Sequence, residues 1–279
     1  MTAATEPTMA AGDPARGGAG TTGTAGLGAV LRAELTKIRT VRSTVWTLLP
    51  TFVVGVGISL LAGLSFASQS PDQQKGFDPL FPAFYGLTLG QLPLVVFGAL
   101  VMAGEYSSGT IRATLVAVPR RGRCYAGKVL ATALFASAVA LPTVLVGFLA
   151  AQAALGRYGV GLGAEGALPA LLGGYLHLVL LCLLALGVAA MLRSPVRSLA
   201  VLLPVFFLGS QGLGNVPGVR TVTQYLPDQT SWVLLHLAGS QDEARWARDY
   251  GPWTGLGLLV LWTAASLLGG YLVLRRRDA

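Results

Sequence analysis

Long uncharged apolar stretches alternate with short charged segments along this chain. Six intervals contain no Asp, Glu, Lys or Arg: residues 43–71, 79–104, 129–156, 166–192, 198–219 and 250–274. Each can supply the ~20 apolar residues that a helix needs to cross a ~30 Å hydrocarbon core. A Lys or Arg at the bilayer centre costs roughly 2.5–3.5 kcal/mol, so six such gaps predict six membrane-spanning helices. We place these at residues 44–66, 83–103, 129–155, 168–192, 198–213 and 254–274.

The N-terminal residues divide into two parts of different character. Residues 1–26 consist largely of Ala, Gly, Thr and Pro, which bury too little apolar surface to offset the entropy of ordering, so we predict a disordered tail. Residues 27–42 carry apolar side chains at helical spacing, and Arg39 lies off the apolar arc. This pattern predicts an amphipathic helix in the headgroup layer, followed by one transmembrane domain over residues 43–279.

Glu34 is the exception on that amphipathic helix, because it falls within the apolar arc. A carboxylate facing lipid would be costly, so a basic partner is expected. Two partners fit the sequence: Lys37 on the same helix, or a basic residue of the segment 104–128. The remaining alternative is exposure of Glu34 at the rim of the arc, on the side of Ile38.

The segment 104–128 separates predicted spans 2 and 3 and carries five of the chain's basic residues. Ser107 and Ser108 are favourable N-cap residues for a short helix over residues 109–118, in which apolar side chains recur at helical spacing. Pro119 should end this helix, because the residue before a proline is disfavoured in the helical region. A basic turn then leads into span 3, where Lys128 reads as an anchor at the membrane surface.

Charge distribution orients the chain. The net charge is +8, but 15 of the 20 Lys and Arg residues lie on the side that holds both termini of a six-span chain. The positive-inside rule therefore predicts cytoplasmic termini, and the basic charge reflects topology and lipid contact rather than nucleic-acid binding. With 53% hydrophobic and only 11% charged residues, a soluble domain is excluded.

Several enzymatic and metal motifs are absent from the sequence. Residues 122–128 match the Gly-x4-Gly-Lys part of a phosphate-binding loop, but Val129 stands where the magnesium-binding Ser or Thr is needed. We therefore expect no ATPase in this chain and no cofactor or metal bound by it. The cysteines and histidines are isolated and lack metal-ligand spacing, and each histidine is expected to pack: Cys124, Cys182, His177 and His236.

The longest outer segment, residues 216–253, is too apolar for an ordinary hydrophilic loop. It is too short for a further span and holds Asp228 in its centre. A re-entrant or interfacial hairpin is therefore the prediction for this segment.

The central segment resembles the cytoplasmic loop of type-2 ABC transporter permeases. The pattern is a Glu and an aromatic residue, then Gly-Thr, Leu, Pro and a basic patch ending in Lys. In this chain it comprises Glu105, Tyr106, Gly109, Thr110, Leu115, Pro119, Arg120, Arg123 and Lys128. The Glu34, Lys37 and Arg39 segment leading into Trp46 resembles the N-terminal connecting helix of that family.

The resemblance implies an all-α integral membrane protein with six transmembrane helices, an N-terminal interfacial helix and a cytoplasmic coupling helix between spans 2 and 3. It further implies a homodimer or heterodimer of permeases in a bacterial plasma membrane, resting on a separate cytoplasmic ABC ATPase that binds ATP and Mg. Partner-coupling residues would be Glu105, Gly109, Thr110, Arg112, Arg120 and Arg123. The implied function is ATP-driven export of a drug, lipid, peptide or ion.

Two other function classes fit a multi-pass chain. One is a non-transporting membrane module that anchors or regulates a partner complex. The other is an intramembrane enzyme, which is disfavoured because the spans contain no His, Asp or Ser–Lys constellation. A proton-driven carrier is disfavoured too, since such carriers need titratable groups at membrane depth.

Overall fold

The computed structural model describes residues 26–40, 42–69, 77–118, 120–210, 216, 218–243 and 246–276. Within these ranges all regular structure is helical, including a short 3₁₀ turn at Gly156–Tyr158. The α-helices in chain order are α1 (Leu27–Thr40), α2 (Arg42–Ala67), α3 (Phe81–Tyr85), α4 (Leu87–Ser108), α5 (Thr110–Ala117), α6 (Arg121–Leu155), α7 (Ala167–Leu192), α8 (Pro195–Ser210), α9 (Arg220–Thr223) and α10 (Pro252–Arg276).

Five membrane-length elements stand out in the described part of the chain. They are α2, α3 with α4, α6, α7 and α10, each long and apolar enough to cross a bilayer. The predicted fifth span corresponds to α8, which has 16 described residues. At 1.5 Å per residue these described residues extend over about 24 Å. For the described residues an all-helical architecture typical of a membrane protein is thus confirmed, with five membrane-length helices and one shorter apolar helix among them.

Helices α4 and α7 form the centre of the bundle and are the most buried of the long helices. Close approach between helices depends on glycine. A Cβ at Gly98 of α4 would lie 2.2 Å from the carbonyl oxygen of Cys182 on α7, and one at Gly187 of α7 would lie 2.5 Å from the backbone of Ser266 on α10. Small residues at such crossings let helix backbones pack by van der Waals contact, which drives association in lipid.

Hydrogen bonds between side chains supplement this packing. His177 on α7 lies 2.9 Å from Gln91 on α4, with both residues buried. The isolated histidine therefore packs against a polar partner between the two central helices.

Helix boundaries near the central segment differ from the predicted ones. Helix α6 begins at Arg121, so the predicted basic turn is the first two turns of the helix that continues as span 3. Ser107 and Ser108 do not cap the following helix. They occupy the last turn of α4, where both hydroxyls donate to the carbonyl of Gly104. The helix after them, α5, is two turns long instead of about three.

The outer segment is a series of turns with one short helix, α9, among its described residues. No hairpin of two helices is seen in that described part. Asp228 is fully buried beside Gln229, which donates to its Oδ2 at 2.8 Å. Burial raises the pKa of Asp228 to about 6. The segment is therefore folded against the bundle.

A contact between two polar side chains joins the outer segment to the loop before α3. His236 Nδ1 lies 2.6 Å from Asp78 Oδ2. Burial alone would raise the pKa of Asp78, but the hydrogen bonds from His236 and from the Leu80 amide lower it.

Some predictions lie outside the described residues. These are the disordered tail apart from Gly26, residue 41 near the end of the predicted N-terminal helix, the predicted helix end at Pro119, and the last residues of predicted span 5 after Ser210.

Candidate functional site

Four charged side chains from three helices meet at one end of the bundle. Lys128 of α6 donates to Glu34 Oε2 of α1 at 2.9 Å and to Glu105 Oε1 of α4 at 2.7 Å. Lys37 of α1 donates to Glu34 Oε1 at 2.9 Å and also to Glu105 Oε1. We call Glu34, Lys37, Glu105 and Lys128 the charge cluster. It joins the N-terminal helix to the helices on either side of the central segment.

Burial makes this cluster unusual. The side chains of Lys128, Glu34 and Glu105 are 1%, 3% and 6% exposed, and only Lys37 reaches solvent, at 41%. Removing a single charge from such a group leaves an uncompensated buried partner, which costs several kcal/mol. The four formal charges cancel, which is the condition under which a buried ionic group is tolerated.

The mutual attraction also shifts proton affinities on α1. Burial alone would raise the pKa of Glu34, but the nearby Lys128 charge and the hydrogen bonds from Lys37 and Lys128 lower it. For Lys37, burial alone would lower the pKa, but its hydrogen bonds to Glu105 and Glu34 raise it. Both groups are thereby held in their charged forms.

Local packing explains why α1 and α6 meet at this turn. Gly127 precedes Lys128, and a Cβ there would lie 2.7 Å from Cγ1 of Val30 on α1. Val30, Glu34 and Ile38 are the buried residues of α1 and recur every four positions. Glu34 therefore does lie on the buried face, as the periodicity indicates, and both partners suggested by the sequence bind it.

The central segment turns sharply just after the cluster. Gly109 ends α4 in the left-handed conformation, with φ +72° and ψ 0°, and α5 starts at the next residue. Thr110 Oγ1 and Ser108 Oγ lie 2.9 Å apart across this turn. A residue with a Cβ is strained at such a φ, which accounts for glycine at this position.

Helix α5 presents one face outward. Ile111 is its buried residue, whereas Val116 is 83% exposed. Arg112 lies on the exposed side. Val116 and Arg112 stand four positions apart and are both exposed, so this face of α5 carries an apolar and a basic side chain together.

The remaining sequence-predicted arginines lie near the end of α1 and at the start of α6. Arg120 is exposed just before α6, Arg123 is half-buried in the first turn of α6, and Arg39 is exposed near the end of α1. The structure thus brings together three of the sequence-predicted residues, Glu34, Lys37 and Glu105.

Lys128 and two further arginines are site residues that the sequence reasoning did not assign. Lys128, which the sequence predicts as an anchor at the membrane surface, is buried at the centre of the cluster. Arg121 Nη1 donates to the carbonyl of Leu274 at 2.8 Å, and Arg193 Nη2 donates to that of Val273 at 3.0 Å. Both arginines satisfy carbonyl groups in the last turn of α10.

Arg193 also connects this end of α10 to the central segment. Its guanidinium lies 5.2 Å from the centroid of the Tyr106 ring, next to Glu105 in the sequence. No sequence signal marks these arginines, since their partners are 80 or more positions away.

The described residues contain no group of three or more His, Cys, Asp or Glu side chains that could hold a metal ion. Both cysteines are buried free thiols.

The family model of the ABC-2 family transporter proteins matches residues 29–279. No curated protein matches the chain significantly. Because the family model covers nearly the whole sequence, the chain belongs to the ABC-2 transporter family, and the resemblance to type-2 ABC permeases is confirmed.

Proposed function

From this family membership, we propose that the chain is the membrane-spanning permease subunit of an ATP-driven exporter, with α5 as the helix that docks on a separate cytoplasmic ATPase. The observation that carries the proposal is the exposed face of α5, hinged at Gly109 to the end of α4. Movement of α5 would reach α1 and α6 through Glu105, whose carboxylate contacts Lys37 and Lys128.

The proposed cycle uses the residues around this turn in distinct ways. ATP binding would close the partner ATPase pair and displace α5, with Arg112, Arg120 and Arg123 contacting the ATPase and Gly109 with Thr110 forming the hinge. Glu105 would transmit the displacement into the bundle, favouring an outward-open arrangement that hydrolysis resets. ATP and Mg would be bound by the ATPase, and this chain would perform no hydrolysis.

The proposal includes six crossings, with α8 as the fifth. With only the five membrane-length helices crossing, Arg275 and Arg276 at the end of α10 would lie on the opposite side from α1. Lys and Arg favour the cytoplasmic ends of spans, so an even number of crossings is consistent with basic residues at both ends of the chain. The proposed setting is a dimer of permeases, homomeric or heteromeric, in a bacterial plasma membrane, with α1 in the headgroup layer.

The docking proposal is tested by placing a carboxylate on the exposed face of α5. Val116→Glu should abolish co-purification of the ATPase that the full-length wild-type chain captures, because an unpaired charge would be desolvated in the interface. Loss of stimulated ATP hydrolysis by at least about tenfold is expected. Val196→Glu is the matched control, since Val196 is 77% exposed at the start of α8.

Glu105→Ala and Arg112→Ala should likewise reduce coupled ATP hydrolysis while the chain is still inserted in the membrane. If Val116→Glu retains both the captured ATPase and its stimulated activity at the level of Val196→Glu, α5 is not the docking helix.

A further inference from the structure

A groove of about 510 Å³ runs between the end of α1 and the facing sides of α2 and α6. This volume falls within the ~300–1,000 Å³ range of small-molecule sites. Each of the two long helices contributes an aromatic ring to it, Phe52 from α2 and Phe135 from α6, and Leu48 is its buried residue. The other residues that these two helices contribute are apolar as well. The body that fills this groove is therefore apolar.

The groove has a positive end. Among the described residues, Arg39 in the last turn of α1 is the one charged side chain that lines it, and this side chain is exposed. The ion pairs of the charge cluster do not include Arg39, and no carboxylate of the described part of the chain pairs with it. The charge of Arg39 is therefore not offset, and an anion is the complementary occupant of this end.

The charged and apolar parts of the lining follow one another along the helix axes. Arg39 lies on the same helix as Glu34 and Lys37, at the end of the bundle that holds the charge cluster. On α6 the lining begins at Phe135 and ends at Pro142, which are about 10 Å and 21 Å beyond Lys128 along the helix. A phospholipid has the same order, with its phosphate at the membrane surface and its acyl chains extending into the hydrocarbon core.

From these features we infer that the groove is a binding site for one phospholipid with a net negative headgroup. Arg39 pairs with the phosphate, and one acyl chain lies between α2 and α6 along Phe52 and Phe135. A headgroup that carries its own ammonium group offsets its phosphate, so it attracts Arg39 less. The site needs only this chain and a bilayer, and it holds whether or not α5 docks on an ATPase.

Native mass spectrometry of the purified full-length chain tests this inference, with dioleoyl phosphatidylglycerol or dioleoyl phosphatidylcholine titrated into the detergent. The two lipids share their acyl chains and differ in net charge. We expect saturable binding of one phosphatidylglycerol molecule per chain. Phosphatidylcholine should bind about fivefold more weakly, which is the factor that one Lys or Arg contributes toward anionic lipid.

The positive end is addressed by changing Arg39. Arg39→Gln should weaken phosphatidylglycerol binding about fivefold, to the level of phosphatidylcholine, because the charge that discriminates the two lipids is removed. Arg39→Lys keeps that charge and should retain most of the preference. Arg32→Gln is the matched control, since Arg32 is exposed on the same helix but does not line the groove.

The apolar part is addressed by filling it. Ala138 is the smallest side chain of the lining, and Ala138→Trp places an indole in the groove while every charge is kept. This variant should abolish saturable binding of both lipids. Leu149→Trp is its control, because Leu149 is 55% exposed on the same helix and does not line the groove.

Four results would overturn the inference. These are the absence of saturable binding, equal affinity of the wild-type chain for the two lipids, an equal loss of affinity in Arg39→Gln and Arg32→Gln, and unchanged lipid binding by Ala138→Trp. If Ala138→Trp keeps its lipid and instead lowers the fraction of dimer in the same spectra, a second copy of the chain occupies this face.

Discussion

Two lysines and two glutamates share one buried volume between α1, α4 and α6, so each residue's effect depends on the other three. Lys128 is central, because it contacts both carboxylates and is 1% exposed. Lys37 contacts the same two carboxylates but is 41% exposed, so water screens its charge. At the scale of single residues, the two lysines have the same partners, so burial determines which of them contributes more to stability.

Lys128→Met should therefore be the most damaging single change in the cluster. Glu34 Oε2 would lose its partner in a site closed to water, and a loss of about 3–5 kcal/mol in the free energy of unfolding is expected. The measurement is the unfolding midpoint in detergent with increasing denaturant. Adding Glu34→Gln to Lys128→Met should recover part of the loss, since the unpaired carboxylate is then neutral.

Lys37→Met serves as the comparison for that experiment, because it removes an equal charge from a half-exposed position. A Lys128→Met variant that is no less stable than Lys37→Met would show that burial does not set the energy of this cluster.

At the scale of elements, the connection between α4 and α5 depends on one backbone conformation. Helix α4 runs through both serines to Ser108, and only the left-handed φ of Gly109 turns the chain into α5. A Cβ at Gly109 meets no atom within 4 Å, so any penalty of substitution arises from the backbone alone.

Gly109→Ala should accordingly loosen α5 without harming the bundle. The left-handed conformation costs a residue with a Cβ about 1–2 kcal/mol, whereas Asn adopts it more readily. We expect amide hydrogen exchange in residues 110–117 to rise about tenfold in Gly109→Ala, in line with that energy, and less in Gly109→Asn.

Gly104→Ala is the control for the hinge, because Gly104 is helical and also has open space at its Cβ position. Equal exchange in Gly109→Ala and Gly104→Ala would contradict the role of the left-handed turn.

At the scale of the whole molecule, the number of crossings depends on α8. Sixteen residues of α8 are described, and the basic ends of the chain favour an even number of crossings. Helix α8 packs against the central helices α4 and α7, which is compatible with a place in the bundle.

Cysteine labelling distinguishes five crossings from six. Ser240→Cys, in the exposed part of the outer segment, should react with a membrane-impermeant maleimide in intact cells only if α8 crosses. Glu165→Cys, between α6 and α7, should react in either case, and Val116→Cys on α5 only after permeabilisation. The native cysteines are buried and should give little background.

A Ser240→Cys variant that reacts only after permeabilisation, together with an outward-reactive Glu165→Cys, would mean that α8 does not cross. The C-terminal end of α10 would then lie outside the cell.

The hydrophobic pattern by itself determined the helical membrane class, the approximate positions of the long helices and the burial of Glu34. It could do so because lipid imposes a minimum length on every span and because helical periodicity assigns each residue to a face. A short helix within residues 109–118 was also readable, because its apolar side chains recur at helical spacing.

Only the tertiary structure decided what the charged residues contact. Lys128 pairs with Glu105 and Glu34 across 23 and 94 positions, and Arg121 reaches Leu274 across 153. Ser107 and Ser108 could either cap the following helix or form the last turn of the preceding one, and both arrangements use only neighbouring residues. They form the last turn because α4 continues as far as Ser108. Sequence spacing carries no information on such partners, because they are set by which helices pack together and at which turn.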